Sequence, residues 1–407
     1  MLNDPMIRIQ FREIWSSLLS KISFPETLEK YLIFIPILIL GFLITFIITP
    51  VIGKIARKYD IVYVPNEKRK GKEFDNEEKA MHKGRIPALG GIAIMIPLIL
   101  VIVLGFKIDS ITLPLLIAML LLSISGILDD IFNLPAKTQL IFQLLASFVI
   151  CFSILDIGSL DIFGKSIPMD VFKFQPVIGK FVFSLTFPGD FFLFMWLVFC
   201  INSFKWVAGS PGLIEGNTLI VMALIFLISV RYQVLFSSTL SSLMVGSLLA
   251  FLIFAYPPPL IMTGASGKSV YGLLICVLGL VSKTKFATTL ILLLLPTLDA
   301  IFVIIRRYID YKPKNPLDLM RISGATHFHH QLLKLNLSMK QVFWIETLFT
   351  LVIGSIGVLT TGAYRYLILI LASIVVIFLI LFANIKARKR EEENNRKKET
   401  SESKYSY

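Results

Sequence analysis

Apolar runs alternate with polar connections along almost the whole chain. Eleven runs stand out, at roughly 31–52, 89–106, 111–128, 140–157, 187–201, 217–231, 236–255, 271–282, 286–305, 342–362 and 366–385. About 20 apolar residues cross a bilayer as a helix, so these runs predict transmembrane helices, with 271–282 short for a full crossing. Residues 1–30 mix charges with Ile7, Phe11, Trp15 and Leu18, which predicts an interfacial helix. Asp4 and Glu13 interrupt that segment and no cleavage site follows, so it does not read as a signal peptide. Residues 158–185 alternate apolar and polar positions between Gly and Pro, a short extramembrane hairpin at best. From Lys386 basic and acidic residues alternate, which predicts a disordered tail. The expected fold class is an all-α polytopic integral membrane protein of ten or eleven transmembrane helices. Its parts are an interfacial helix (1–30), a multi-span domain (31–386) and a charged cytosolic tail (387–407).

Composition agrees. Of the 407 residues 56% are hydrophobic and 16% charged, more apolar surface than a soluble chain of this length can bury. The formal charge of +13 does not indicate nucleic acid, because the basic residues gather on alternate connections. Ten lie in 53–87, seven in 306–340 and eight in 386–407. Positive residues mark the cytosolic side, which places the N-terminus outside and the C-terminus inside. The loops 129–138, 202–216 and 257–270 and all four histidines then share the cytosolic face, where a cleft is expected. A transporter would carry polar groups at mid-span, and these runs largely lack them. Cys151, Cys200 and Cys276 lie inside apolar runs and form no disulfide or metal framework.

Candidate chemistry starts at Asp129 and Asp130, two adjacent acids ending an apolar run. Such a pair is costly at a membrane edge unless a cation meets it, which points to a divalent metal or a phosphate-bearing site; a solvated turn is the plain alternative. Lys83 and Lys137 fit either phosphate contacts or positive-inside anchors. His327, His329 and His330 fit a ligand cluster or a surface cluster; with no cysteine near, a closed zinc site is not expected. Asp299 lies about two helical turns inside the inner edge, for metal contact or for pairing with a neighbouring helix. Gly90-Gly91 permits close helix packing.

Four segments in order carry a resemblance. They are His82-Lys83-Gly84-Arg85-Ile86-Pro87 with Gly90-Gly91; Asp129-Asp130 with Lys137 and Gln139; Leu295-Pro296-Thr297-Leu298-Asp299; and His327-Phe328-His329-His330 running on to Gln341. Together they resemble the polyprenyl-phosphate N-acetylhexosamine-1-phosphate transferases (glycosyltransferase family 4), from about Tyr31 to Ala387. The resemblance implies transfer of a phospho-sugar from a UDP-HexNAc nucleotide-sugar to a polyprenyl phosphate, with release of UMP and use of Mg²⁺. It implies that Asp129 and Asp130 contact the metal or take the lipid-phosphate proton. Asp130 and Asp299 would hold any metal; Lys83, Lys137, Asn202, Lys205, Lys268, His327, His329 and His330 would bind substrate. Dimers are common in that family.

The sequence also departs from the family pattern. In the loop 202–213, Asn202 and the glycines remain, but Lys205 stands for an Asn, and Ala208 and Pro211 for aspartates. Ala265 stands where the family has a magnesium-ligating aspartate, and the usual acid is missing around Gly324-Ala325-Thr326. Exchanging carboxylates for ammonium groups opposes Mg²⁺ binding, which needs hard oxygen ligands. The expectation is that Lys205 pairs with Asp129 or Asp130 where the metal would sit, and that Lys268 grips an anion. The segment 264–269 is not a P-loop. Two readings follow: a divergent active transferase, or an inactive relative that binds lipid phosphate or nucleotide-sugar or partners an active transferase.

Overall fold

The computed structural model describes residues 26–64, 84–153, 155, 157–162, 165–207, 209–282, 286–313, 326–362 and 364–404. Most of the expected interfacial helix, together with Lys83 and Ala208, lies outside the described residues. The apolar runs fall on helices, in the order α1 (Glu26–Leu32), α2 (Ile35–Lys58), α3 (Gly90–Gly105), α4 (Thr112–Phe132), α5 (Ala136–Cys151), α6 (Gly189–Val207), α7 (Leu213–Arg231), α8 (Leu235–Ala255), α9 (Ala265–Val281), α10 (Phe286–Leu292), α11 (Leu294–Tyr311), α12 (Phe328–Lys334), α13 (Met339–Leu359) and α14 (Tyr364–Lys404). Among the described residues seven helical stretches are long and apolar enough to cross a membrane, while α3, α5 and α9 are shorter apolar helices. The chain is a mostly helical, multi-pass membrane protein. Its outer helices carry exposed apolar side chains such as Ile47 and Phe378, the surface that lipid covers.

The short run 271–282 belongs to the innermost helix. The helix α9 starts at Ala265, inside the segment read as a loop, and Val270–Leu278 is almost without solvent contact. Helices α3, α4, α6, α7 and α8 pack around it. A second apolar cluster joins α11, α12, α13 and α14 through Leu295, Phe328, Val342 and Val376. At the periphery, α2 meets α8 through small residues: a methyl group on Gly246 would run into the Leu38 carbonyl. Ser242 Oγ donates to the Phe34 carbonyl across the same contact, at 3.1 Å. Small residues and hydroxyls give close helix contact where lipid removes the hydrophobic drive for association.

Three expectations are corrected. The run 286–305 is two helices, α10 and α11, because Pro296 has no N–H to donate to the carbonyl one turn back. Residues 158–185 hold more than one hairpin. Strands Ser159–Ile162 and Lys165–Pro168 pair antiparallel, and a longer ribbon pairs Asp170–Phe174 with Leu185–Pro188 around the inner pair Val177–Ile178 and Phe181–Val182. The tail is not disordered over its described part, since α14 continues as helix through Lys404. Charges one turn apart, such as Arg388 and Glu392 at 3.2 Å, support that extension.

Candidate functional site

The acidic pair ends α4. Asn133 takes the left-handed conformation that closes the helix, and Pro135 opens α5 at once, so the chain folds back tightly. This turn places Gln139 over Asp129: its Nε2 donates to Asp129 Oδ1 and to the Leu134 carbonyl, both at 2.7 Å. Asp130 faces the other way, onto the N-terminus of α9. Its Oδ1 accepts the Ala265 N–H at 2.9 Å and the Tyr63 hydroxyl at 3.1 Å, and its Oδ2 lies 3.4 Å from the Ser266 N–H. A carboxylate on free N–H groups at a helix start is a strong cap.

Close backbone approach makes that cap possible. A methyl on Gly126 would strike the Ser266 backbone, and one on Gly91 the Gly267 backbone. Gly264 has φ +75°, and a side chain there would collide with the Asp130 carboxylate. Tyr63 arrives on a two-residue strand, Val62–Tyr63, paired with Ile86–Pro87. The next residues are tied to the start of α9: Gly90 and Gly91 N–H groups donate to the Met262 and Thr263 carbonyls at 3.0 and 2.7 Å. Gly90-Gly91 therefore serves close packing, one of the roles expected for it.

Lys205, in the last turn of α6, bonds Gln139 Oε1, and Gln139 in turn donates to Asp129. The expectation is direct pairing of Lys205 with Asp129 or Asp130; the contact seen is instead with Gln139, which in turn holds Asp129. Asn202 is buried and turned inward, its Nδ2 donating to Gln143 Oε1 and the Val198 carbonyl, both at 2.8 Å. Lys137 is exposed on the first turn of α5. Pro211 is buried in the turn before α7.

The histidine segment forms α12, and Asp299 of α11 is its cap. Asp299 Oδ1 accepts the Phe328 N–H at 2.8 Å, and Oδ2 lies 2.7 Å from His327 Nδ1. Of the two roles expected for Asp299, the geometry has the structural pairing. His329 stacks between its neighbours, with ring centroids 4.2 Å from His330 and 5.8 Å from His327. It is fully buried against Gly209, and neither ring nitrogen has a hydrogen-bond partner among the described residues. Burial first, then His330, His327 and Lys268, hold its imidazole well below the usual range, so it is neutral at pH 7.

One group was missed from the sequence. Glu215, in the first turn of α7, is buried, accepts the Thr263 hydroxyl on Oε1, and has no hydrogen-bond partner on Oε2 among the described residues. Lys268 stands in the first turn of α9. Its ammonium stands 5.8 Å from the Tyr63 ring centroid and acts electrostatically on Asp130, Glu215 and His329.

These residues do not fit a magnesium ion. Among the described residues no group of three or more His, Cys, Asp and Glu side chains is placed to hold a metal. Asp130 and Asp299, the two expected ligands, spend both oxygens on protein donors, and Ala265 offers no oxygen from its side chain. Mg²⁺ needs hard oxygen ligands, and of the acids expected to contact it only Asp129 keeps an oxygen not engaged by a protein donor among the described residues.

Fold and site together define a multi-pass helical membrane protein with a lysine-bearing polar cluster at one end of its bundle. The model of the family described as glycosyl transferase family 4 matches residues 112–283, from the start of α4 to just past α9. The chain is 25% identical over 364 residues to the probable undecaprenyl-phosphate N-acetylglucosaminyl 1-phosphate transferase of Bacillus subtilis, covering 88% of this chain and 93% of that relative. It is 26% identical to the undecaprenyl-phosphate alpha-N-acetylglucosaminyl 1-phosphate transferase of Escherichia coli K12, over 75% of this chain and 78% of the relative. The phospho-N-acetylmuramoyl-pentapeptide-transferase of Caldicellulosiruptor bescii is 25% identical over 58% of this chain and 70% of its own. The match to glycosyl transferase family 4 over residues 112–283 and the similarity to these transferases agree with the resemblance that the motifs carry.

Proposed function

We propose that this chain moves a sugar 1-phosphate from a UDP-N-acetylhexosamine to a polyprenyl phosphate at the cytosolic face of the plasma membrane, a first step of cell-wall or surface-glycan synthesis. The observation that carries the reading is the meeting of the α4 acid end, Lys205, Lys268 and the histidine helix at one end of the bundle. Its support is the similarity over 88% of the chain to a relative named for that transfer. In the reaction a lipid-phosphate oxygen attacks the phosphorus bearing the sugar. One P–O bond forms, the bridging P–O bond breaks, and UMP leaves with that electron pair. Phosphoryl transfer of this kind rests on positioning and charge stabilisation. Lys205 and Lys268 supply positive charge, and Asp129, already oriented by Gln139, takes the proton of a protonated lipid phosphate. No step of this scheme runs through a divalent ion.

A second reading, binding of the same ligands without turnover, is favoured by one feature: Asp130 and Asp299 commit both oxygens to protein donors. The test is UMP release by the purified full-length protein from UDP-GlcNAc and undecaprenyl phosphate. Transfer predicts release that drops at least about a hundredfold in Lys268→Ala. Ligand binding with no UMP from wild type selects the second reading.

A further inference from the structure

The polar cluster contains a contradiction that the transfer reading leaves standing. Asp130 and Glu215 are two acids at the protein's interior end, and the expected metal ligands around them are absent or already bonded. Acids in such surroundings need a counter-charge, or burial penalises them heavily. Lys268 provides one. It sits in the first turn of α9, three residues after Ala265, whose N–H holds Asp130. Its ammonium is near the ring of Tyr63, the residue that donates to Asp130, and its charge is felt by Asp130, Glu215 and His329 alike.

Around the buried His329 are polar atoms with no protein partner among the described residues. They are both ring nitrogens of His329 and Ser210 Oγ, all on residues at least nine-tenths buried; Glu215 Oε2 is unpartnered too, but a carboxylate oxygen accepts only and is met by a cation, not by a phosphate. Ser210 follows Gly209, against which the His329 ring packs. Buried polar atoms normally find partners, so an imidazole and a neighbouring hydroxyl left orphaned together, with Lys268 acting on that imidazole, point to a ligand. A hydroxyl and an imidazole N–H donate to phosphate oxygens, and an ammonium adds a charge-assisted bond.

We infer that Lys268 is a built-in cation, standing as counter-charge to Asp130 and Glu215 in place of a divalent ion, and that a phosphate group binds beside it without metal. The ligand is a phosphate monoester or diphosphate, from the lipid acceptor or the nucleotide-sugar. The inference rests on the proposal that such ligands enter this cluster, whether or not transfer follows.

The experiment uses the full-length protein in phosphatidylcholine nanodiscs. Undecaprenyl phosphate, uncharged undecaprenol and UDP-GlcNAc are titrated separately, each in EDTA and in Mg²⁺. The expected result is that at least one phosphate ligand binds with affinity equal within about twofold in the two conditions, while undecaprenol binds at least about tenfold more weakly than undecaprenyl phosphate wherever the lipid is the ligand. The lipid and nucleotide arms identify the source of the phosphate. Lys268→Gln weakens binding in EDTA at least about tenfold, and Lys268→Arg retains it. Binding by wild type only in Mg²⁺ overturns the inference and leaves the transfer reading intact. Equal binding by Lys268→Gln in EDTA overturns it also. No binding of any phosphate ligand in either condition overturns the underlying proposal and the inference with it. Should Lys268→Gln fail to elute as a folded species, the EDTA and Mg²⁺ comparison on wild type decides alone.

Discussion

Asp130 and Asp299 lie on different helices and are treated alike: each caps the N-terminus of a neighbouring helix and accepts one further bond, from Tyr63 or His327. Glu215 and His329 are buried too, yet each keeps polar atoms without a partner among the described residues. The acids that a motif reading assigns to metal are clasps between helices. The groups with unused bonding capacity are an acid and an imidazole on which Lys268 acts. A carboxylate at a membrane edge is thus an ambiguous signal, and what separates architecture from ligand binding is whether its oxygens are already spent.

The sharpest way to break this contrast is Asp299→Ala. It strips a cap from α12 and leaves the His327 ring and Phe328 N–H without their acceptor, so a loss of about 3 kcal/mol or more is expected in detergent-based thermal unfolding. A change too small to measure would mean that Asp299 is not a clasp. Next comes Gly126→Ala, which forces α4 away from the start of α9 and should cost about 1–3 kcal/mol, with weaker phosphate-ligand binding as the Asp130 cap opens.

His329 tests the other half through pH. Its folded-state pKa lies below the ordinary imidazole value of 6.5, so the unfolded chain takes up the proton first as pH falls. Its contribution is fully present above about pH 6.5 and is lost progressively below it. Melting temperature should drop on acidification, and His329→Phe should flatten that drop; an unchanged acid limb would contradict the assignment. The smallest effect is expected at Glu391, whose 2.8 Å pair with Lys334 ties α12 to α14 at the surface. Both side chains are partly exposed, so Glu391→Ala should cost no more than about 1 kcal/mol.

Much of the helix order was legible because a bilayer imposes long apolar runs, and every expected run falls on helix. The break at Leu293 had a visible signal in Pro296, overridden by the continuous apolarity of 286–305. The start of α9 was hidden because Ala265-Ser266-Gly267-Lys268 has loop-like composition; what makes it helical is the Asp130 cap supplied from α4. Glu215 sits just before a run read as starting at 217, and an acid at that edge was the one available signal. The Asp130–Tyr63 contact spans 67 residues and the Asp299–His327 contact 28, so no local pattern could announce either. The helical tail was misread because its alternating charges serve pairing one turn apart and docking onto α12 through Arg390 and Glu391.

The central claim is that a lysine stands in this site where a divalent ion would be expected. Its most direct test is Mn²⁺ titration of the purified full-length protein, followed by the loss of the free-ion paramagnetic resonance signal. Wild type should show no saturable site, and the double variant Ala265→Asp with Lys268→Gln, which restores an oxygen ligand and removes the ammonium, should gain one. Stoichiometric, saturable Mn²⁺ binding by wild type would contradict the account.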